Sequence, residues 1–198
     1  MPDLIKQIPV TMRKLGIPEK TISRFKIPQT HSPENVMALI NQMDELLTKD
    51  QCISIMQEQG CCKTGKPAAP HRAFGIEHRD KTLAQKVELL NKAKIPHKAP
   101  CHLNSDCTLS VYWGSEDLRT KNCPCGIIKK LPDSAEVPKT FCGCCGGHIK
   151  SNYQKSLGVK LRLKEIVSSS SSSGGKKRCE FLYEVEEEIR PRAGSNKN

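Results

Sequence analysis

Residues 142–185 read CGCCGGHIKSNYQKSLGVKLRLKEIVSSSSSSGGKKRCEFLYEV, and the order of patterns in this stretch determines the expected architecture. A helix is predicted over residues 146–157, because Ile149, Tyr153 and Leu157 recur at helical spacing. Gly158 follows directly, as glycine commonly does where a helix ends.

Two strands are predicted after this helix. Residues 159–167 alternate apolar side chains with lysine and arginine, and residues 179–185 alternate again. Residues 168–175 between them are six serines and two glycines, a composition typical of a flexible connector. The sequence therefore predicts a helix followed by a β-hairpin.

The preceding residues divide into helical and strand-forming regions. Three helices are expected to begin near Pro33, Asp50 and Asp80, the first after an N-cap serine and with a proline at its start. A short hairpin is expected at residues 102–113, with Cys107 at a turn position where glycine is usual, and a short strand at residues 125–130. The predicted fold class is α+β, with an N-terminal helical subdomain packed on a C-terminal antiparallel sheet crossed by a long helix.

Length and composition favour a protein that folds without disulfides in the cytoplasm. The chain has 198 residues, 36% of them hydrophobic, and no run of 18 apolar residues that would cross a membrane. Eleven cysteines in close C-x-C and C-C spacings suit metal binding or thiol chemistry better than disulfides in a reducing compartment.

The net charge of +11 raises the question of nucleic-acid binding. The basic residues are spread along the chain, and aromatic residues, on which bases could stack, make up only 4% of it. We therefore expect a solvated basic surface and no nucleic-acid partner.

A cluster of cysteines and one histidine is the expected functional site. Thiolate and imidazole are ligands that zinc and iron–sulfur clusters prefer, and buried, inert thiols are the simpler alternative. Zinc is the first expectation and an iron–sulfur cluster the second. The candidate ligands taken from the cluster itself are Cys123, Cys125, Cys142, Cys144, Cys145, His148 and Cys179.

A second interpretation uses the same cysteines without a metal. Cys144 and Cys145 stand just before the predicted helix, where the helix dipole lowers a thiol pKa, and His148 lies one turn further on as a candidate base. This Cys-His arrangement is typical of nucleophilic catalysis. The alternative function is therefore a cysteine- or metal-dependent hydrolase that acts on a small heterocyclic or thiol-containing substrate.

The last hundred residues resemble the superfamily of the 4-vinyl reductase domain and the 2-amino-thiazoline-4-carboxylate hydrolase-like proteins. The resemblance lies in a cysteine that opens a glycine-containing helix, the Leu157-Gly158 helix end, a small-residue loop, and Cys179-Glu-Phe-Leu-Tyr. It implies a zinc site at positions 142, 165, 168 and 179. Glu165 fits this set, whereas Ser168 departs from it and would require Cys144 or Cys145 to substitute.

These observations give a domain division and a first functional hypothesis. Residues 1–98 are expected to form the helical subdomain, residues 99–190 a cysteine-rich α+β domain, and residues 191–198 a disordered tail. The expected function is a cytoplasmic metal-thiolate protein that binds a small molecule or a metal. A homodimer is compatible with the sequence, and the role of Cys61 and Cys62 is left open.

Overall fold

The computed structural model describes most of the chain, namely residues 3–60, 68–95, 98–114, 123, 125–132 and 135–188. Its seven described α-helices and four strands occur in the order α1 Leu4–Lys14, α2 Glu19–Ile22, α3 Pro33–Leu46, α4 Lys49–Glu58, α5 Ala69–Glu77, α6 Leu83–Lys92, β1 Cys101–Leu103, β2 Thr108–Trp113, α7 Gly143–Leu157, β3 Val159–Ser168 and β4 Cys179–Glu188. Two short 3₁₀ turns, Ile128–Lys130 and Lys139–Cys142, precede α7.

The N-terminal helices begin where local hydrogen bonding favours them. The Ser32 hydroxyl accepts the amide hydrogen of Asn35 and caps α3, as the sequence predicts. Thr48 and Thr82 begin α4 and α6 with capping boxes, in which a glutamine three residues later bonds back to the cap. These caps explain the confirmed helices in this half of the chain.

The sheet is antiparallel, with strand order β1-β2-β4-β3. The two hairpins expected from the sequence, β1-β2 and β3-β4, are both present. Tyr183 on β4 is fully buried, and its hydroxyl donates to the carbonyl oxygen of Gly146 in α7, which joins the helix to the sheet. The α+β class with a long helix packed on the sheet is therefore confirmed.

Buried apolar side chains form two clusters. One combines α1, α3 and α4 with Cys123, Ile127, Ile128, Val137 and Phe141, and the other combines the sheet with α5, α6 and α7. Helix α4 contributes to both, through Met56 in the first and Ile53 in the second. The division of the chain at residue 98 stays a prediction. Within the residues that are described, no helix is both long and apolar enough to span a bilayer.

Glycines allow two helices to approach α7 closely. A Cβ atom on Gly147 would overlap the carbonyl group of Gln57 in α4, and one on Gly75 in α5 would overlap the carbonyl oxygen of Lys155. Such contacts leave no space for a side chain. Helix α7 is thereby held between α4, α5 and the sheet.

Three local predictions are wrong. The strand expected at residues 125–130 is replaced by the 3₁₀ turn Ile128–Lys130. The three helices predicted for the N-terminal half omit α5, which begins at Ala69. Helix α7 begins at Gly143 rather than near residue 146, so Cys144 and Cys145 lie inside its first turn.

Candidate functional site

The cysteine-rich segment lies where α7 begins, beside the loop that joins β3 to β4. Cys142 ends the 3₁₀ turn Lys139–Cys142 and is the N-cap residue of α7, and Cys179 begins β4. The loop between β3 and β4, residues 169–178, is called the serine loop below. It covers both of these cysteines.

The thiol of Cys142 is surrounded by serine hydroxyls. Its Sγ atom lies 3.0 Å from Ser169 Oγ and 3.4 Å from Ser171 Oγ, and the side chain is only 4% exposed. Burial raises the pKa of Cys142, and hydrogen bonds from the two serines partly oppose that rise.

The thiol of Cys179 is held by the backbone of the same loop. Its Sγ atom accepts the amide hydrogen of Ser170 at 3.3 Å, and the residue is 5% exposed. Burial raises the pKa of Cys179, while this backbone hydrogen bond lowers it. Adjacent loop residues thus contact the two sulfur atoms.

The serine loop is a turn held by its own hydrogen bonds and not the flexible connector expected from its composition. Ser169, Ser170 and Ser171 are all buried, and the hydroxyls of Ser169 and Ser171 lie 3.0 Å apart. The amide of Ser172 donates to Ser169 Oγ at 3.2 Å, and the amide of Gly175 donates to the carbonyl oxygen of Ser170 at 2.8 Å. The hydroxyls of Ser169 and Ser171 therefore have partners within the loop and on the sulfur of Cys142.

Three more predicted site cysteines lie within electrostatic reach of this pair. A thiolate at Cys123 would be repelled by charge on Cys125, Cys142 and Cys179, and Cys145 is coupled in the same way to Cys142 and Cys123. Burial raises the pKa of Cys123 to about 12 and that of Cys145 well above its ordinary value. The structure thus gathers cysteines from three separate segments within electrostatic reach of one another.

The Cys-His pair expected at the start of α7 makes other contacts. The Cys144 thiol donates to the carbonyl oxygen of Gln59 at 3.4 Å. His148 Nε2 lies 3.2 Å from Asn152 Nδ2, and the ring of Trp113 stands edge-on to the imidazole. The lowered thiol pKa expected from the helix dipole is contradicted at Cys145, because desolvation dominates there.

Glu165 and Ser168 lie on β3 at two of the positions that the resemblance implied for zinc, and each contacts another group. Glu165 forms an ion pair with Lys49, with 3.5 Å between Nζ and Oε1, and its side chain is 40% exposed. The Ser168 hydroxyl donates to the carbonyl oxygen of Arg178 at 2.6 Å and so closes the base of the serine loop. Cys61 and Cys62 lie outside the described residues.

The expectation of zinc or an iron–sulfur cluster is wrong. Among the residues of the described ranges, no group of three or more His, Cys, Asp or Glu side chains is arranged to hold a metal ion. The physical reason is that the sulfur atoms of Cys142, Cys144 and Cys179 are each directed at serine or backbone partners, and Glu165 is paired with a lysine. The corresponding hypothesis of a metal-thiolate protein is wrong with it.

A small cavity lies beside Ser171 of the serine loop, and sequence reasoning missed it. Its volume is about 80 Å³, and it is lined by Ile128, Lys129, Leu131, Pro132, Ala135, Val137 and Ser171. Ser171 therefore faces both the cavity and Cys142. The sequence signal that could have found this arrangement is the unusual serine run placed between two strands.

Comparisons with known proteins give little support for any family. No protein-family model matches the chain, and no curated protein sequence matches it. The solved structures that it resembles include an H-NOX protein from S. oneidensis in the Fe(II)NO ligation state, at 9% identity and a TM-score of 0.35 over 94% of this chain and 99% of that one. A triple mutant of an H-NOX protein from S. oneidensis in the Fe(II) state gives 10% identity and a TM-score of 0.36 over 97% and 100% of the two chains.

These findings correct the family expected from the sequence. The structures found are H-NOX proteins, and neither comparison of sequences supports the 4-vinyl reductase and thiazoline hydrolase-like superfamily. That resemblance is wrong, and so is the function expected from the sequence, including its hydrolase alternative. Because the structural likeness is so weak, function has to be argued from the residues themselves.

Proposed function

We propose that this chain is a thiol–disulfide redox protein in which Cys142 and Cys179 are the working pair. The observation that carries this proposal is the serine loop, which contacts both sulfur atoms through neighbouring residues. The proposal makes the cysteine cluster itself the functional group. It needs only the chain's own thiols and a small oxidant.

The geometry supports a disulfide between these two residues in particular. Ser169 contacts the sulfur of Cys142, and the next residue, Ser170, contacts that of Cys179. The two sulfur atoms therefore contact consecutive residues of the serine loop. A negative charge on Cys142 would also raise the pKa of Cys179. One residue stands at the start of a helix and the other at the start of a strand, so the disulfide would tie α7 to β4.

The reaction is a two-electron oxidation. Two thiols lose two protons and two electrons to form one disulfide, and a small-molecule disulfide or diazene accepts them and becomes two thiols or a hydrazine. Cys123 and Cys145 lie within electrostatic reach and can exchange with the pair. A cluster of this kind stores more than one oxidation step.

The serine loop controls how fast this reaction proceeds. Thiol–disulfide exchange needs an accessible thiolate, and burial with a raised pKa suppresses both conditions at Cys142. Cys107, in contrast, is exposed in the β1-β2 turn. We expect Cys107 to react rapidly and Cys142 to react only when the loop opens.

The test is oxidation of the purified, reduced protein with diamide, followed by non-reducing peptide mapping with mass spectrometry. The expected result is a Cys142–Cys179 disulfide that dithiothreitol reverses. Cys142→Ser and Cys179→Ser should each abolish it. Cys101→Ser is the matched control, because Cys101 is also a buried thiol with a pKa raised to about 12 but is hydrogen-bonded to Asn91.

Two outcomes would overturn the proposal. In the first, Cys142 and Cys179 remain reduced under conditions that fully oxidise the exposed Cys107. In the second, the anaerobically purified protein holds a stoichiometric metal ion, and these two thiols become reactive when that metal is removed. Elemental analysis of the same preparation distinguishes the second outcome from the first.

A further inference from the structure

A groove between α5 and α6 shares no residue with the cysteine segments. Its apolar lining includes Phe74 of α5, Leu89 of α6 and Ile95, which follows α6. Phe74 is 5% exposed, and its ring stands edge-on to the imidazole of His78, with 4.4 Å between the ring centroids. The groove is open to solvent and has a volume of about 500 Å³, within the range of about 300–1,000 Å³ that is common for ligand sites.

The charged residues of the groove leave an excess of positive charge. Lys92 and Lys94 are exposed on its α6 side, and neither forms an ion pair within the described part of the chain. Among the described residues that line the groove, Glu77 is the one acidic group, and its Oε1 atom lies 3.9 Å from His78 Nε2. The two lysine ammonium groups are therefore available to an anion.

These two lysines are not needed to stabilise the end of α6. A cation at the C-terminal end of a helix commonly offsets the negative charge of its last carbonyl groups. Lys98 does so directly, because its ammonium group donates to the carbonyl oxygens of Asn91 and Ala93 at 2.6 and 2.8 Å. Lys92 and Lys94 thus remain for another partner.

We propose that this groove binds a small organic anion, in which an apolar body carries one carboxylate. The body lies on Phe74, Leu89 and Ile95, and the carboxylate faces Lys92 and Lys94. The net charge of +11 favours an anionic ligand over a cationic one. This inference does not depend on the redox function, because the groove and the cysteine pair have no residue in common.

The test uses 4-phenylbutyrate, which has a phenyl ring, a flexible chain and one carboxylate. Two-dimensional NMR of the isotope-labelled protein follows its binding, with 4-phenylbutanamide as an uncharged control of nearly equal shape. The perturbed backbone amides should include those of Ala73, Glu77, Lys92 and Lys94. The expected Kd of the carboxylate is on the order of 1 mM, because a small ligand gains only modest affinity in an open site.

Lys92→Glu and Lys81→Glu are a matched pair of charge reversals. Both lysines are exposed, but Lys81 lies in the turn between α5 and α6 and does not line the groove. Lys92→Glu should weaken binding of 4-phenylbutyrate by about fivefold, because an exposed ion pair is lost and a repulsive charge replaces it. Lys81→Glu should change this binding by less than about twofold, and neither substitution should change binding of the amide by more than about twofold.

The inference is overturned if 4-phenylbutyrate at about 10 mM leaves the amides of the lining residues unshifted. It is also overturned if the carboxylate and the amide bind equally well, or if Lys92→Glu and Lys81→Glu weaken binding equally. The comparison of the two ligands uses the unaltered protein, so it is decisive even if a variant fails to fold. An unchanged spectrum away from the groove shows that Lys92→Glu keeps the fold.

Discussion

Replacement of Gly147 by alanine should destabilise the protein by separating α4 from α7. The added Cβ atom would overlap the backbone carbonyl of Gln57, which cannot rotate away as a side chain can. Alanine gains about 1 kcal/mol over glycine in helix propensity, but overpacking against a rigid neighbour costs about 3 kcal/mol. We therefore expect Gly147→Ala to lower the free energy of unfolding by about 2 kcal/mol.

The adjacent Gly146→Ala is the matched control. Its Cβ atom would meet Leu163 Cδ2 at 2.7 Å and Phe181 Cδ1 at 3.2 Å, which are side-chain atoms and not backbone, and Leu163 can adopt another rotamer. Urea unfolding followed by circular dichroism should give a clearly smaller loss for Gly146→Ala than for Gly147→Ala. If both variants are as stable as the parent, the close backbone contact between α4 and α7 is not what holds the helices together.

Three further predictions concern the sheet and its loops. Cys107 has a left-handed backbone conformation, with φ +61°. Cys107→Gly should raise the free energy of unfolding by about 0.5 kcal/mol, because relief of this strain exceeds the cost of a more flexible unfolded chain. A lower urea midpoint for the variant would contradict this. Asn91→Ala should lower the free energy of unfolding by about 2 kcal/mol in the same assay, because the Asn91 side-chain amide hydrogen-bonds to both the N–H and the C=O of Cys101. An unchanged midpoint would show that these hydrogen bonds are not needed for stability. Oxidation of Cys142 should make residues 172–175 more sensitive to protease, and equal cleavage of the reduced and oxidised forms would argue against coupling between loop and sulfur.

Local signals accounted for much of the fold. The start of α3 was predictable because Ser32 and Pro33 act through neighbouring residues only, and the turn at Cys107 because a hairpin of that length needs a left-handed residue. Helix α5 was missed for the opposite reason. Its start at Ala69 has no side-chain cap, and its place is fixed by the contact of Gly75 with α7, which a local pattern does not reveal.

The candidate site was only partly predictable. Sequence spacing indicated that the cysteine segments belong together, and the structure puts Cys123, Cys142 and Cys179 within electrostatic reach of one another. What each sulfur contacts was not predictable, because the partners Ser169 and Ser170 come from a segment whose composition alone indicates flexibility. The amino-acid composition of a loop indicates how flexible that segment is in water, but it does not indicate which residues elsewhere in the fold the loop contacts.

The order of the serine loop depends on the sulfur atoms beneath it. A buried hydroxyl without a hydrogen-bond partner costs about 1–3 kcal/mol, and Ser169 and Ser171 avoid that cost through Cys142 and through each other. A disulfide removes the thiol hydrogen and moves the sulfur, so part of that stabilisation is lost on oxidation. The closed loop therefore favours the reduced pair, and by linkage oxidation favours the open loop. The serine loop thus couples the redox state of Cys142 and Cys179 to the solvent exposure of their sulfur atoms.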